Sequence, residues 1–175
     1  MSKLFARMTL GVLILLAILY IATLVAANTS ITQRTIQTEV IINASSSKVW
    51  RVMMDFEAYP QWNPFIRHVT GAARPGEQLK VELNLSGSTI TFQPTVLVVQ
   101  PERELRWIGR LFIPGILDGE HSLVIEPQGA SRVHFVQSET FKGVLVPFLG
   151  TILGATEHDF QEMNLALKKH AEQET

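Results

Sequence analysis

Residues 133–171, VHFVQSETFKGVLVPFLGTILGATEHDFQEMNLALKKHA, contain the two elements around which the rest of the chain must be arranged. In the first part Val133, Phe135, Gln137, Glu139 and Phe141 fall on alternate positions and so share one face of a strand. In the second part Leu149, Leu153, Thr156, Phe160, Met163 and Leu167 recur every three or four positions, the stripe of a helix buried along one side. Pro147 suits the first turn, where its missing N–H does no harm. Lys168, Lys169 and His170 suit the last, where cations meet the negative end of the helix dipole. The spacing predicts a helix from Pro147 to about Ala171.

Upstream, from Ile66 to Phe141, strand follows strand. Leu79, Val81, Leu83 and Leu85 alternate with polar residues, and Gly87-Ser88 turns the chain into a strand bearing Ile90, Phe92, Val96 and Val98. Residues 100–103 lead to Leu105, Trp107 and Leu111. Pro114-Gly115 ends that strand, and Pro127-Gln128-Gly129 forms the hairpin after Leu123 and Ile125. Before them lies a strand with Ile36, Thr38, Val40 and Ile42. Ser45 to Ser47 then offer N-caps to a helix carrying Val49, Trp50, Val52, Met53 and Phe56. Pro60 stops that helix, and residues 59–65 read as a turn or short helical piece. Connections this short favour one meandering antiparallel sheet of about seven strands. The sheet must cover its apolar face, and the C-terminal helix is the one large element able to do so. The predicted class is α+β, a curved sheet around a long helix, with space for a cavity between them.

At the other end of the chain Met8 to Ala27 carry no charge and follow Lys3 and Arg7. As a helix this run would reach about 30 Å, the hydrocarbon thickness of a bilayer. The sequence is therefore read as an N-terminal transmembrane anchor over 1–27, a tether over 28–35 and a folded domain over 36–172. The preceding cations favour a cytoplasmic N-terminus and a domain outside. The alternative is a cleaved signal peptide, with its apolar stretch from Leu10 to Leu24 and a cleavage site at Val25-Ala26-Ala27. All 16 acidic residues but only 13 of the 15 basic ones follow residue 27, so the remainder carries a formal charge of −3. With no basic stripe, nucleic acid is not an expected partner. Cysteine is absent, which excludes disulfides, thiol catalysis and cysteine-bound zinc.

Ser46-Ser47-Lys48-Val49-Trp50, Asp55-Phe56, Tyr59-Pro60-Gln61-Trp62-Asn63-Pro64, Val69-Thr70-Gly71 and Gly76 together resemble the opening of START-like (SRPBCC, polyketide cyclase/dehydrase-type) domains. Residues 105–109 and 139–143 are similar to later parts of the same pattern, so the resemblance covers about residues 36–172. It implies a helix-grip fold. Members bind lipids, sterols, polyketides and other apolar molecules, and a minority catalyse cyclisation or dehydration. The N-terminal apolar segment is an addition to the simplest members.

The five histidines are scattered, with no HExxH pair, and the chain has no GxSxG elbow and no phosphate-binding glycine loop. Neither a metal nor another cofactor is expected. The chemistry-bearing candidates are polar residues on apolar strand faces. If Phe135 and Phe141 point inward, so does Glu139. A hairpin over residues 128–130 brings His121 opposite or diagonal to Gln137, with Glu139 nearby. Glu139 and His121 could act as general acid and base, or orient a ligand's polar head. They could equally be solvated at a strand end, with Glu139 paired to Arg110 or Lys142; Arg106 and Arg110 read as surface charges. The candidate ligand-lining set is Trp62, Phe92, Trp107, His121, Phe135, Gln137, Glu139, Phe141, Thr156, Phe160 and Met163. Trp62 and Phe65 could line a cavity mouth, touch lipid or cap the core. Gly150 and Gly154 allow close approach to the sheet, room for a ligand, or a lid hinged with Gly143. The expected function is binding or transfer of a lipid or other hydrophobic small molecule beside a membrane. The alternatives are a cyclase or dehydratase acting on an apolar substrate, and a protein-interaction module.

Overall fold

The structure is a computed structural model describing residues 2–26, 32–85 and 87–173. Helix α1 (Ser2–Ala26) holds the apolar run, and its described side chains are exposed. Those of residues 8–22 cover a rise of about 22 Å. Among the described residues no helix is long and apolar enough to cross a membrane. Of the stretch read as a tether, residues 28–31 lie outside the described residues, as does Ala27 of the cleavage motif, and Gln33 already belongs to the first strand.

Strand β1 (Gln33–Ile42) is followed by α2 (Ser46–Met54), where Ser45 is the N-cap and its hydroxyl accepts from Lys48 N at 3.3 Å. A 3-10 turn over Phe56–Ala58 and the short α3 (Tyr59–Trp62) then lead into the strands. These are β2 (Ile66–Thr70), β3 (Lys80–Leu85), β4 (Ser88–Phe92), β5 (Thr95–Gln100), β6 (Glu104–Leu111), β7 (Leu117–Pro127) and β8 (Val133–Lys142). Helix α4 (Gly150–Gln173) completes the α+β arrangement.

Among the described residues the strands number eight rather than about seven, and they form two antiparallel sheets rather than one. The larger has the order β1-β8-β7-β6-β5 and the smaller β2-β3-β4. The extra strand arises at Pro94, which has no N–H to give to a ladder and divides the expected strand of residues 90–98 into β4 and β5, one in each sheet. The two sheets touch through a Gln78↔Thr95 bridge and a bond from Leu79 N to Pro94 O. An irregularity between Val96 and Val98 also shifts the faces of β5, so Val99 packs against the core beside Val96 in place of Val98.

Helix α4 starts at Gly150, not Pro147; Val146–Phe148 form a separate 3-10 turn. Its buried stripe is Thr156, Phe160, Met163, Asn164, Leu167 and Ala171, while Leu153 is only half-buried. The sequence pattern thus describes the C-terminal two-thirds of the helix. There Asn164 Nδ2 donates to Thr38 Oγ1 at 2.8 Å and Lys168 Nζ to the Ile41 carbonyl at 2.8 Å, which fix the helix to β1. A Cβ on Gly150 or Gly154 would meet nothing within 4 Å, so close approach to the sheet is not why these glycines are there. Gly143 is the opposite case: at φ 137° it lies against the Ile116 carbonyl, and a side chain would collide with that backbone.

The Tyr59-to-Pro64 stretch is structural. Tyr59, fully buried, donates its hydroxyl to Met53 O at 2.6 Å, and burial holds that hydroxyl far above the ordinary phenol pKa. Asn63 Oδ1 accepts from both Phe65 N and Ile66 N, at 3.0 and 2.9 Å, which aims the chain into β2. Asn63→Ala strands two buried donors and is expected to cost about 2–3 kcal/mol, read as a lower midpoint in urea with an unchanged slope. On the outer face His134 meets Glu126 (2.8 Å) and Glu39 (3.2 Å), bridging β8 to β7 and β1. The hydrogen bond to Glu126, with help from Glu39, raises the His134 pKa. A raised pKa stabilises the fold fully below the unfolded value of about 6.5, and the contribution is lost as pH climbs through the folded value. His134→Gln is therefore expected to lower the melting temperature at pH 5.5 and to change it much less at pH 8.5.

Candidate functional site

Between the two sheets and the first turns of α4 lies a cavity of about 280 Å³. Leu83, Leu85, Ile90 and Phe92 form one wall, Leu111, Leu117 and Phe141 the other, and Ile152 and Thr156 reach in from α4. Phe65 and Thr156, 4% and 5% exposed, lie at its floor, whereas Ile90, Leu111 and Ile152 are 41–48% exposed and mark its mouth. The acidic side chain placed in the wall is Glu139; Thr156 gives its hydroxyl to the Ile152 carbonyl at 2.9 Å, and Arg110 lies at the edge, 3.6 Å from Asp118.

Glu139 reaches the wall because Gly119 makes room for its carboxylate, as Gly109 does for the Phe92 ring. Gly109 and Gly119 face each other across β6 and β7. A Cβ on Gly119 would come within 2.5 Å of Glu139 Oε1, and one on Gly109 within 3.2 Å of the Phe92 ring. A glycine inside a strand commonly marks such an approach.

Behind the carboxylate runs a sealed polar chain. His121 is opposite Glu139 in the β7–β8 register, and Gln137 is diagonal to it. His121 Nδ1 lies 3.4 Å from Glu139 Oε2, and His121 Nε2 3.3 Å from Gln137 Nε2, which also reaches Met163 Sδ at 3.5 Å. The proton assignment that serves these contacts puts hydrogen on Nδ1, donating to the carboxylate, while Nε2 accepts from the glutamine amide. The imidazole stacks on Trp107 (centroids 4.8 Å apart, planes at 4°) and meets the edge of Phe160 at 5.0 Å. It is 4% exposed, and Gln137 is fully buried.

The candidate residues thus divide into three groups. Phe92, Glu139, Phe141 and Thr156 line the cavity. Trp107, His121, Phe135, Gln137, Phe160 and Met163 lie in the core beneath it. Trp62 is elsewhere, stacked on His170 at 5.9 Å and in edge contact with Tyr59. The pairing of Glu139 with Arg110 or Lys142 gives way to the one with His121. The wall residues absent from the candidate set, Leu83, Leu85, Ile90, Leu111, Leu117 and Ile152, belong to β3, β4, β6, β7 and α4. Gly109 and Gly119, each five positions from Pro114, were their one visible signal in sequence.

The chain belongs to the polyketide cyclase/dehydrase and lipid transport family, whose model matches residues 33–172. No curated protein sequence matches it. Among solved structures it is similar to a START superfamily protein from Mycobacterium smegmatis (23% identity, 81% of this chain and 99% of that one, TM-score 0.64). It is also similar to an aromatase/cyclase from Streptomyces sp. R1128 (17% identity, 81% and 94%, TM-score 0.67). A third is norcoclaurine synthase from Thalictrum flavum, solved with dopamine and hydroxybenzaldehyde (14% identity, 82% and 89%, TM-score 0.61). These likenesses establish the START-like helix-grip fold.

Gly119→Ala is expected to displace the Glu139 carboxylate and break its contact with His121 while leaving the fold intact. Proton–nitrogen spectra of the His121 imidazole check this through loss of the Nδ1–H signal. An unchanged spectrum would contradict the packing described.

Proposed function

We propose that this chain is a membrane-anchored protein that binds a lipid or other hydrophobic small molecule and exchanges it with the adjacent bilayer. The observation that carries the proposal is the cavity wall, largely apolar, with the Glu139 carboxylate set in it, the Thr156 hydroxyl turned to its own helix and Arg110 at the edge. A volume of about 280 Å³ is near the lower end of the usual ~300–1,000 Å³ for ligand pockets. It suits a compact ring system, or the leading part of a longer molecule whose remainder emerges at the mouth. Glu139, held by His121 from behind, accepts a hydrogen bond from the ligand's hydroxyl or amine. The family's lipid-transport members support the same reading. So does the uncharged run of residues 8–27 behind Lys3 and Arg7, which in this proposal is the membrane anchor, with a cytoplasmic N-terminus and the domain outside.

A second reading, catalysis on an apolar substrate, is favoured by the Glu139–His121 contact. In it Glu139 is the carboxylate that touches substrate and moves a proton there. His121, screened by Trp107 and Phe160, is a positioning residue.

Native mass spectrometry of the full-length protein, released from mild detergent after expression in its own host, tests the proposal. A stoichiometric hydrophobic molecule is the expected result, and an empty protein would overturn it. Ile152→Trp narrows the mouth from an exposed position and is expected to reduce the bound fraction without changing the melting temperature. Glu139→Gln is expected to weaken a polar-headed ligand by roughly tenfold, the loss of one charge-assisted hydrogen bond. In the catalytic reading the same variant would keep the bound molecule and lose its conversion.

A further inference from the structure

Residues 111–117 and 143–156 carry no charged side chain. The fold brings them together: Val144 N donates to Gly115 O at 3.1 Å and Leu145 N to Ile116 O at 3.2 Å. Val146 is buried, but six of their hydrophobic side chains are exposed. Phe112 is 86% exposed and Phe148 81%, with Leu111, Ile113, Leu145 and Ile152 also exposed around them. Phe112 has φ 63°, a left-handed conformation that bulky residues rarely adopt and that is maintained with its ring in solvent. Leu111 and Ile152 are at once part of this surface and part of the cavity mouth.

The chain enters the domain at the same end. Gly143 N donates to Thr32 O at 3.0 Å, and Gln33 is paired with Lys142. The six peptide links from Ala26 at the end of α1 to Thr32 reach at most about 20 Å. Arg34 and Lys142 stand on exposed positions beside the apolar loops. The opposite end of the sheet, the β7–β8 hairpin, lies one strand length away, about 30 Å, and carries Glu126, Gln128 and Arg132.

We infer that this end of the domain docks on the bilayer itself, with Phe112 and Phe148 in the interfacial layer and Arg34 and Lys142 among the headgroups, so that the cavity opens into lipid instead of water. The inference rests on the membrane-anchored reading above. The short tether holds this face near the membrane surface at all times. Exposed aromatic and aliphatic residues rimmed by cations are the composition that interfacial insertion requires.

The absence of cysteine allows the test to be made on the whole chain. Single variants Phe112→Cys, Phe148→Cys and, at the far hairpin, Ser131→Cys are labelled with an environment-sensitive dye. They are then reconstituted into phosphatidylcholine–phosphatidylglycerol vesicles containing nitroxide-labelled lipid. The expected result is blue-shifted emission and severalfold stronger lipid quenching at 112 and 148 than at 131, with the reverse order for aqueous iodide. If the protein floats with the vesicles but 112 and 148 remain as open to iodide as 131, the inference is overturned. Protection from iodide without lipid quenching also overturns it, because the cover is then protein, either α1 or a second copy. Failure of the protein to float with the vesicles after alkaline carbonate washing refutes the anchored reading, and the inference with it. The two failures are thus separated in one preparation.

Discussion

The pairing of the first strand of the domain with the last is the constraint on which the remaining geometry depends. Ten residue pairs, from Gln33↔Lys142 to Ile42↔Val133, join segments about a hundred positions apart, and β7 extends the same ladder from the other side of β8. The pairing leaves β8 in the interior of the five-stranded sheet, so the helix that follows it must turn back across that sheet. Asn164 and Lys168 then fix the helix to β1. Such a long-range contact closes a large loop at an entropic cost. Once formed, it determines where the sheet, the helix and the chain's N-terminal connection lie.

The same ladder creates the polar feature of the cavity. In the β7–β8 register His121 faces Glu139, and the β6–β7 register places Trp107 against the other side of the imidazole. A buried imidazole with an apolar ring on either side would be costly if its nitrogens were left without partners. The carboxylate and the glutamine amide supply them. The carboxylate faces the cavity on one side and the imidazole on the other, so whatever it does for a ligand is coupled to how firmly the core holds His121. Gly119, by lacking a side chain, keeps the carboxylate within reach of both.

Much of this was legible in the sequence. Two-residue alternation placed Phe135, Gln137, Glu139 and Phe141 on one face, and the glycine-proline hairpins set the β6–β7–β8 order, including the approach of His121 to Glu139. What alternation cannot say is which sheet a strand joins. Ile90, Phe92 and Val96 keep one phase across Pro94, so the change of sheet leaves no break in the pattern, and Pro94 alone signals it. Nor does parity distinguish the cavity from the packed core. Phe135 and Phe141 share a face, but Phe160 and Met163 cover that face near Phe135, whereas Phe141 lines the cavity beside Ile152 and Thr156. The start of α4 was misplaced because Leu149 and Leu153 continue the helical spacing into turns that the sheet does not bury.

That unevenness along α4 has a consequence for how a ligand comes and goes. The C-terminal part of the helix is sealed by Phe160, Met163, Leu167 and Ala171 and tied to β1 by side-chain hydrogen bonds, while its first turns contain Gly150 and Gly154 over open space. Hydrogen-exchange protection along one continuous helix should therefore be graded, low in the first two turns and close to the global value beyond Phe160. Opening those turns widens the mouth without disturbing the strands. The residence time of a ligand and the stability of the domain then become separate properties, which selection can adjust independently.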